Sequence, residues 1–192
     1  MKKLLLYLVG FVILVSQSSC GYNEMVQKDE QVSGQWAQVQ NSYQRRADLV
    51  PNLVNTVKGA ANFEKETLTQ VIEARSKATS IQLNADQLTP ENIQRFQEVQ
   101  GQLSGSLSRL MATAEAYPDL KANQNFLELQ AQLEGTENRI SVERQKFNAT
   151  VQDYNTYIRA FPRNFFAGWF GFEKKGYFEA AAGAQNAPTV QF

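Results

Sequence analysis

From Met25 to about Ala61 the apolar residues fall three and four apart: Val32, Trp36, Val39, Tyr43, then Val50, Leu53, Val57 and Ala60. Only a helix that buries one stripe along its length makes use of that spacing. Two seven-residue series run through it, Val32, Val39 and Leu53 in one, and Trp36, Tyr43, Val50 and Val57 in the other. Position 46 of the first series is filled by Arg46, so a cation faces the core side. Pro51 also lies within the stretch, where it removes an amide donor and disturbs the carbonyl of Ala47. Either the helix kinks there, or it breaks and Asp48 caps a new one.

The same period recurs three times. Asn62-Phe63-Glu64-Lys65-Glu66 reads as a turn and helix start, followed by Leu68, Val71, Ile72 and Ala78, with Arg75 on the stripe. Around Ser80 to Asp86 that helix frays. Thr89-Pro90-Glu91 combines a hydroxyl cap, a proline at the first helical position and an acid in the first turn. The third helix then carries Ile93, Phe96, Leu103, Leu107, Leu110 and Ala114, with Gln100 in line, and stops at Tyr117-Pro118. A fourth runs from about Asn123 to Ile158 on Phe126, Leu129, Leu133, Ile140, Phe147, Val151, Tyr154 and Ile158, with Glu137 and Arg144 filling gaps. The predicted fold is all-α, an antiparallel up-down-up-down four-helix bundle. Its first and fourth helices are the long pair, each ~50 Å at 1.5 Å per residue.

Reflecting residue numbers about the loops of such a bundle brings Arg46, Asp48, Arg75, Gln100 and Glu137 to one level. A polar layer there either fixes register through ion pairs, at some cost in stability, or lines a ligand or proton site. Composition favours the first. The chain has no histidine, the commonest general base and metal ligand, and the Glu-x-x-His pairs of bundle metal sites cannot be built. Arginine stays protonated and is a poor base. Glu134 and Glu137, three apart on a helix, make an ordinary surface pair with no accompanying nucleophile. No cofactor, no metal and no catalytic residue is therefore expected.

With 192 residues, 19 basic and 19 acidic, the chain suits one domain with a real core and offers no field to attract nucleic acid. Its single cysteine excludes an intrachain disulfide framework. Met1-Lys2-Lys3 followed by the apolar run Leu4 to Val15 has the length of an export signal and falls short of the roughly 20 residues that span a bilayer. Small residues precede Cys20, as in a bacterial lipobox, although Gln17 stands where that pattern usually has leucine. Acylated Cys20 would anchor the chain on the outer or periplasmic side of the membrane. The alternatives are an uncleaved single-pass anchor and a cleaved soluble form. The expected division is 1–19 as signal or anchor segment, 20–178 as helical domain and 179–192 as disordered tail.

Beyond Phe161-Pro162 the aromatics Phe165, Phe166, Trp169, Phe170, Phe172, Tyr177 and Phe178 crowd together with Lys174-Lys175. An even number of helices returns the chain to its anchored end. The cluster is then either a membrane-proximal cap with rings at headgroup level, or a hydrophobic lid on the bundle.

Several runs of residues resemble the LemA family: Tyr22-Asn23, Arg45-Arg46-Ala47-Asp48-Leu49-Val50-Pro51-Asn52-Leu53-Val54, Val57-Lys58-Gly59, Ala74-Arg75, Ala114-Glu115-Ala116-Tyr117-Pro118-Asp119-Leu120-Lys121-Ala122-Asn123, Leu133-Glu134-Gly135-Thr136-Glu137-Asn138-Arg139-Ile140, Tyr154-Asn155 and Phe161-Pro162. The likeness spans residues 22 to about 178. It implies a membrane-attached antiparallel helical bundle, in a family that includes magnetosome-associated proteins and carries over no catalytic residues. The expected function is a membrane-anchored scaffold or adaptor acting through membrane or envelope proteins. The alternative is a module that binds an envelope ligand or polymer.

Overall fold

The computed structural model describes residues 2–59 and 63–179, with the backbone alone for residues 2–20. All regular structure among the described residues is helical: α1 (Lys2–Lys58), α2 (Lys65–Ser80), α3 (Pro90–Ala114), α4 (Pro118–Lys121), α5 (Gln124–Arg159) and α6 (Arg163–Trp169), with a 3-10 turn at Ala85–Gln87. Residues 60–62, which include the first residue of the expected turn at 62–66, and residues 180–192 of the tail expected to be disordered from 179 lie outside the described residues.

Local chemistry accounts for the helix ends. Thr89 Oγ1 accepts from the Asn92 amide at 3.3 Å while Pro90 opens α3, so one of the orphan donors at the helix start is satisfied. Asn123 does the same for α5, its Oδ1 accepting from the amides of Asn125 and Phe126 at 2.9 and 3.3 Å. Tyr117 is held extended ahead of Pro118 (φ −115°, ψ 92°), which separates α3 from the short α4. Helix α6 closes on Gly171, whose φ of +77° only glycine adopts freely. The Phe172 amide donates to the Ala167 carbonyl and that of Gly171 to Gly168, a Schellman closure. Neither α4 nor α6 follows from the long apolar stripes, because both are too short to show a period.

Helix α1 continues through Pro51 without a break. The proline is exposed on the helix surface, so its ring meets solvent and the chain need only accommodate the missing donor. A new cap at Asp48 does not form.

The described residues divide into two units. One comprises α1 up to Arg46 with Glu134–Lys175, and the other Ala47–Leu133 with the residues from Gly176. In the first, Met25, Val32, Trp36, Val39 and Tyr43 of α1 and Ile140, Phe147, Val151, Tyr154 and Ile158 of α5 are all buried. Trp36 and Phe147 pack ring to ring at 5.4 Å. The partners Glu24 with Tyr157, Lys28 with Asp153, Gln35 with Glu143 and Arg46 with Glu137 run in opposite directions along the chain, so α1 and α5 are antiparallel here. In the second unit, four helices share one core: Val50, Leu53 and Val57 of α1, Leu68, Val71, Ala74 and Ala78 of α2, Leu103, Leu107 and Leu110 of α3, and Phe126 and Leu133 of α5. Ile72, expected on the α2 stripe, is exposed, and Ala74 takes the inward place. Ile72 directly follows Val71 and is turned about 100° away from it.

Candidate functional site

In the first unit the polar groups gather around Arg46. Its side chain is 1% exposed, and Nη1 donates to Glu137 Oε1 at 2.7 Å. The guanidinium carbon stands 5.0 Å from the Tyr43 ring centre, within range of a cation–π attraction. Burial pushes the Tyr43 hydroxyl above its ordinary range, and the positive charges of Arg144 and Arg46 partly offset that. Glu137 is itself 42% exposed, so the pair is a buried cation reaching a carboxylate that keeps much of its hydration.

Six residues beyond Glu137 on α5 lies a buried carboxylate that the apolar stripe does not pick out. Glu143 has a side chain only 8% exposed. It accepts from Gln35 Nε2 at 2.8 Å and from Lys146 Nζ at 3.2 Å. The Gln35 hydrogen bond holds its carboxyl below the usual range, burial opposes this, and Lys146 adds to the lowering. The signal was present in the sequence: Thr136 and Glu143 sit seven apart, seven more reaches Thr150 and a further seven Tyr157. Thr136 is buried as well. A second seven-residue series thus runs along α5 with polar residues at two inward positions.

The second unit holds the other residues expected in the polar layer, and two of them act on backbone carbonyls. Arg75 Nε donates to the Ala47 carbonyl at 2.8 Å. That carbonyl would ordinarily accept from the amide of residue 51, four positions on, and Pro51 has none. Arg75 therefore supplies the donor that Pro51 removes. Gln100 Nε2 donates to the Ala78 carbonyl at 3.0 Å, in the last turn of α2, where carbonyls have no partner of their own. Asp48 is exposed. It lies two residues, about 200°, beyond the inward-facing Arg46 and so points outward. Of the five residues expected at one level, the structure brings together Arg46 and Glu137 as a pair, sends Arg75 and Gln100 to orphan carbonyls, and places Asp48 at the surface.

Amide side chains also hold the segment after α6. In the first unit Asn155 grips Lys175 twice, its Nδ2 donating to the Lys175 carbonyl at 2.9 Å and its Oδ1 accepting the Lys175 amide at 3.0 Å. Tyr154 Oη donates to the Glu173 carbonyl at 3.0 Å; burial, with Asp29 and Glu173 nearby, raises its hydroxyl well above the ordinary range. In the second unit Gln97 grips Glu179 in the same two-way fashion at 3.0 and 3.1 Å. Gly176 donates to the Leu88 carbonyl at 2.7 Å, and a Cβ there would stand 2.7 Å from Pro90 Cα.

The expected aromatic cap is an open surface. Phe161 is 79% exposed, Phe165 66% and Trp169 87%, with Phe166 and Phe170 also exposed and Phe172 half-buried. Phe178 alone among the tail aromatics is buried, against Phe96 in the second unit. A lid would have its rings turned inward, so the exposure speaks against that alternative. Phe170 and Phe172 lie 4.9 and 5.9 Å from the Tyr22 ring.

Among the described residues no group of histidine, cysteine, aspartate and glutamate could hold a metal ion, and no helix is long and apolar enough to cross a membrane. The apolar run Leu4 to Val15, the 1–19 segment and the Cys20 thiol, on which the anchor expectation rests, lie outside the described side chains. The clustered polar groups hydrogen-bond to one another and to backbone carbonyls left without helical donors.

The chain is 25% identical over 147 residues to Protein LemA of Metamycoplasma hominis, which covers 77% of this chain and 60% of that protein. It is likewise 25% identical over 177 residues to Magnetosome protein MamQ 2 of Paramagnetospirillum magneticum, covering 82% of this chain and 64% of the relative. Magnetosome protein MamQ of Magnetospirillum gryphiswaldense is 34% identical over a shorter stretch of 92 residues, 47% of this chain and 34% of the relative. The chain thus spans about three-fifths of the length of the first two. The model of the LemA family matches residues 35–192, which takes in the Arg46, Pro51, Arg75 and Glu137 positions, and the chain belongs to that family.

Proposed function

We propose that this protein is a membrane-anchored helical-bundle scaffold or adaptor that acts through protein partners. The observation that carries the reading is how the buried polar groups are used. Arg46, Glu143, Arg75 and Gln100 hold elements together through Glu137, Gln35 and two orphan carbonyls. These are the contacts of a rigid frame, and its exposed helix faces then carry the recognition. The order α1, α2, α3, α5 with short connections supports an antiparallel up-down-up-down bundle, with α1 and α5 as the long members. The apolar run before Cys20 supports attachment at a cell membrane, through acylated Cys20 on the outer or periplasmic side, or through an uncleaved single-pass segment. The relatives named as magnetosome proteins fit a membrane-bounded setting.

The test is crosslinking in intact cells, followed by recovery of the protein from detergent-solubilised envelope. A specific membrane or envelope protein should co-purify, and reversing exposed charges on α2 and α3, such as Glu73→Lys with Arg95→Glu, should abolish its recovery. Recovery of the same proteins with the reversed variant, or of none, would contradict an adaptor role.

A further inference from the structure

The exposed aromatics at the end of α5 and on α6 have no counterpart in the scaffold argument. Phe161, Phe165, Trp169 and Phe170 present four large rings to solvent within one short segment, each more than half exposed, and Phe161 and Phe165 pack edge-on at 5.9 Å; exposed apolar groups gathered in this way mark a binding face. Hydrophobic packing gives Trp169 no reason to stand 87% exposed. Two observations identify what covers it.

The first is position along α1. Phe170 and Phe172 pack edge-on against Tyr22, at 4.9 and 5.9 Å. Tyr22 lies on the same uninterrupted helix as residues 4–15, whose sequence is wholly apolar, and follows Val15 by about 10 Å at 1.5 Å per residue. It also follows Cys20 by two residues. Whether the chain is held by acyl chains on Cys20 or by the apolar run itself, Tyr22 and the rings packed on it come to lie at headgroup level. The second is charge. The full chain is neutral, yet residues 159–175 carry Arg159, Arg163, Lys174 and Lys175 against Glu173 alone. Arg163 is turned over the Tyr157 ring, 4.0 Å from its centre, and Lys175 pairs with Asp29. Aromatic rings beside surplus positive charge are the composition of a segment that lies in the boundary between headgroups and acyl chains of an anionic bilayer.

We infer that the Phe161–Phe172 segment is a second membrane-contact site, inserting its exposed rings into the interface of an anionic bilayer and thereby orienting the helices relative to the membrane. This rests on the membrane attachment proposed above. Its purpose would be geometric, since one point of attachment leaves a domain free to tilt, whereas two restrict it.

The experiment uses the full chain reconstituted in vesicles of phosphatidylglycerol and phosphatidylcholine whose acyl chains are brominated near the headgroup. Tryptophan occurs twice, at Trp36 and Trp169, and Trp36 is buried, so the difference between the native chain and Trp169→Phe reports Trp169. The expected result is a blue-shifted Trp169 component, quenched severalfold more by brominated lipid than the Trp36 component, and less so when phosphatidylglycerol is omitted. A Trp169 component reached by aqueous iodide and untouched by bromine would overturn the inference. So would a blue shift without bromine quenching, which would place the ring against protein, including a second copy of this chain. If the chain fails to float with vesicles at all, the membrane reading falls together with this one. Flotation without bromine quenching removes only the second contact.

Discussion

Burying a guanidinium costs several kcal/mol unless its hydrogen bonds and charge are answered, and at Arg46 the answer comes from a carboxylate that is itself half in water. This asymmetry sets the expected mutational behaviour. Arg46→Ala removes a large buried side chain together with its need for a counter-charge, so its cost, about 2–3 kcal/mol, is one of lost packing. Glu137→Gln keeps an acceptor but leaves the buried Arg46 cation without its counter-charge, and should cost about 3 kcal/mol or more. Urea denaturation of the two variants checks both values. Glu143 makes a pH-dependent contribution. Its carboxyl is held below the ordinary value in the folded protein, so its stabilisation is complete above the unfolded-state carboxylate range and is lost as pH falls through the folded value. The melting temperature of Glu143→Gln should therefore trail the native protein's most at neutral pH, with the gap closing as the pH is lowered toward 3. Both residues carry formal charge on otherwise inward series, and that much was visible in the spacing. Which partner the inward acid on α5 would meet was not, since Gln35 of α1 brings the donor to Glu143.

Along α1 and α2, Pro51 and Arg75 form one device: the proline removes a donor, and the arginine replaces it from the neighbouring helix. A double-mutant cycle separates this from independent effects. Arg75→Met should cost about 1.5–3 kcal/mol, the range for hydrogen bonds to charged groups. In a Pro51→Ala background, where residue 51 again donates to Ala47, the same change should cost less than half as much. Additive effects would show that the carbonyl is satisfied some other way. The segment after α6 is equally demanding. Gly176→Ala drives a methyl into the Pro90 backbone, and overpacking of that kind costs about 1–3 kcal/mol. Gly171→Ala meets open space but must hold a positive φ, costing about 1–2 kcal/mol. Thermal melts of the two variants distinguish a steric from a conformational cause once larger residues are tried: Val at position 176 should be far worse than Ala, whereas Ser at position 171 should match Ala. The long helices and the Thr89 cap of α3 were readable in advance, because period and capping chemistry are local. The hold of Asn155 on Lys175 and of Gln97 on Glu179 was not, since an amide in a helix gives no sign of which distant backbone it will meet.

For the whole molecule, the proposed membrane attachment turns on how the chain is held and what it presents. A neutral chain has little long-range electrostatic steering, so the proposed attachment would depend on apolar groups and on local charge. Two acyl chains on a lipobox cysteine already suffice for stable anchoring, so the exposed rings between Phe161 and Phe170 would add orientation and not the hold itself. The intact mass of protein extracted from membranes should correspond to a chain beginning at an acylated Cys20. A mass retaining Met1 to Ser19 would assign attachment to the apolar run instead.

The amino-acid order settled the all-helical architecture, the phase of each long stripe and the places where helices start, because a repeat of 3.6 residues and a capping side chain act within a few residues of chain. It also marked Arg46 and Pro51 as needing an explanation. The explanation came from groups far away in sequence: Glu137 for Arg46, and Arg75 for the carbonyl beside Pro51. Whether the tail aromatics turned inward or outward was settled in the same way, by which neighbours packing left to them. Burial of a side chain depends on what other elements bring to it, and that information appears in the sequence only as pattern and never as partner.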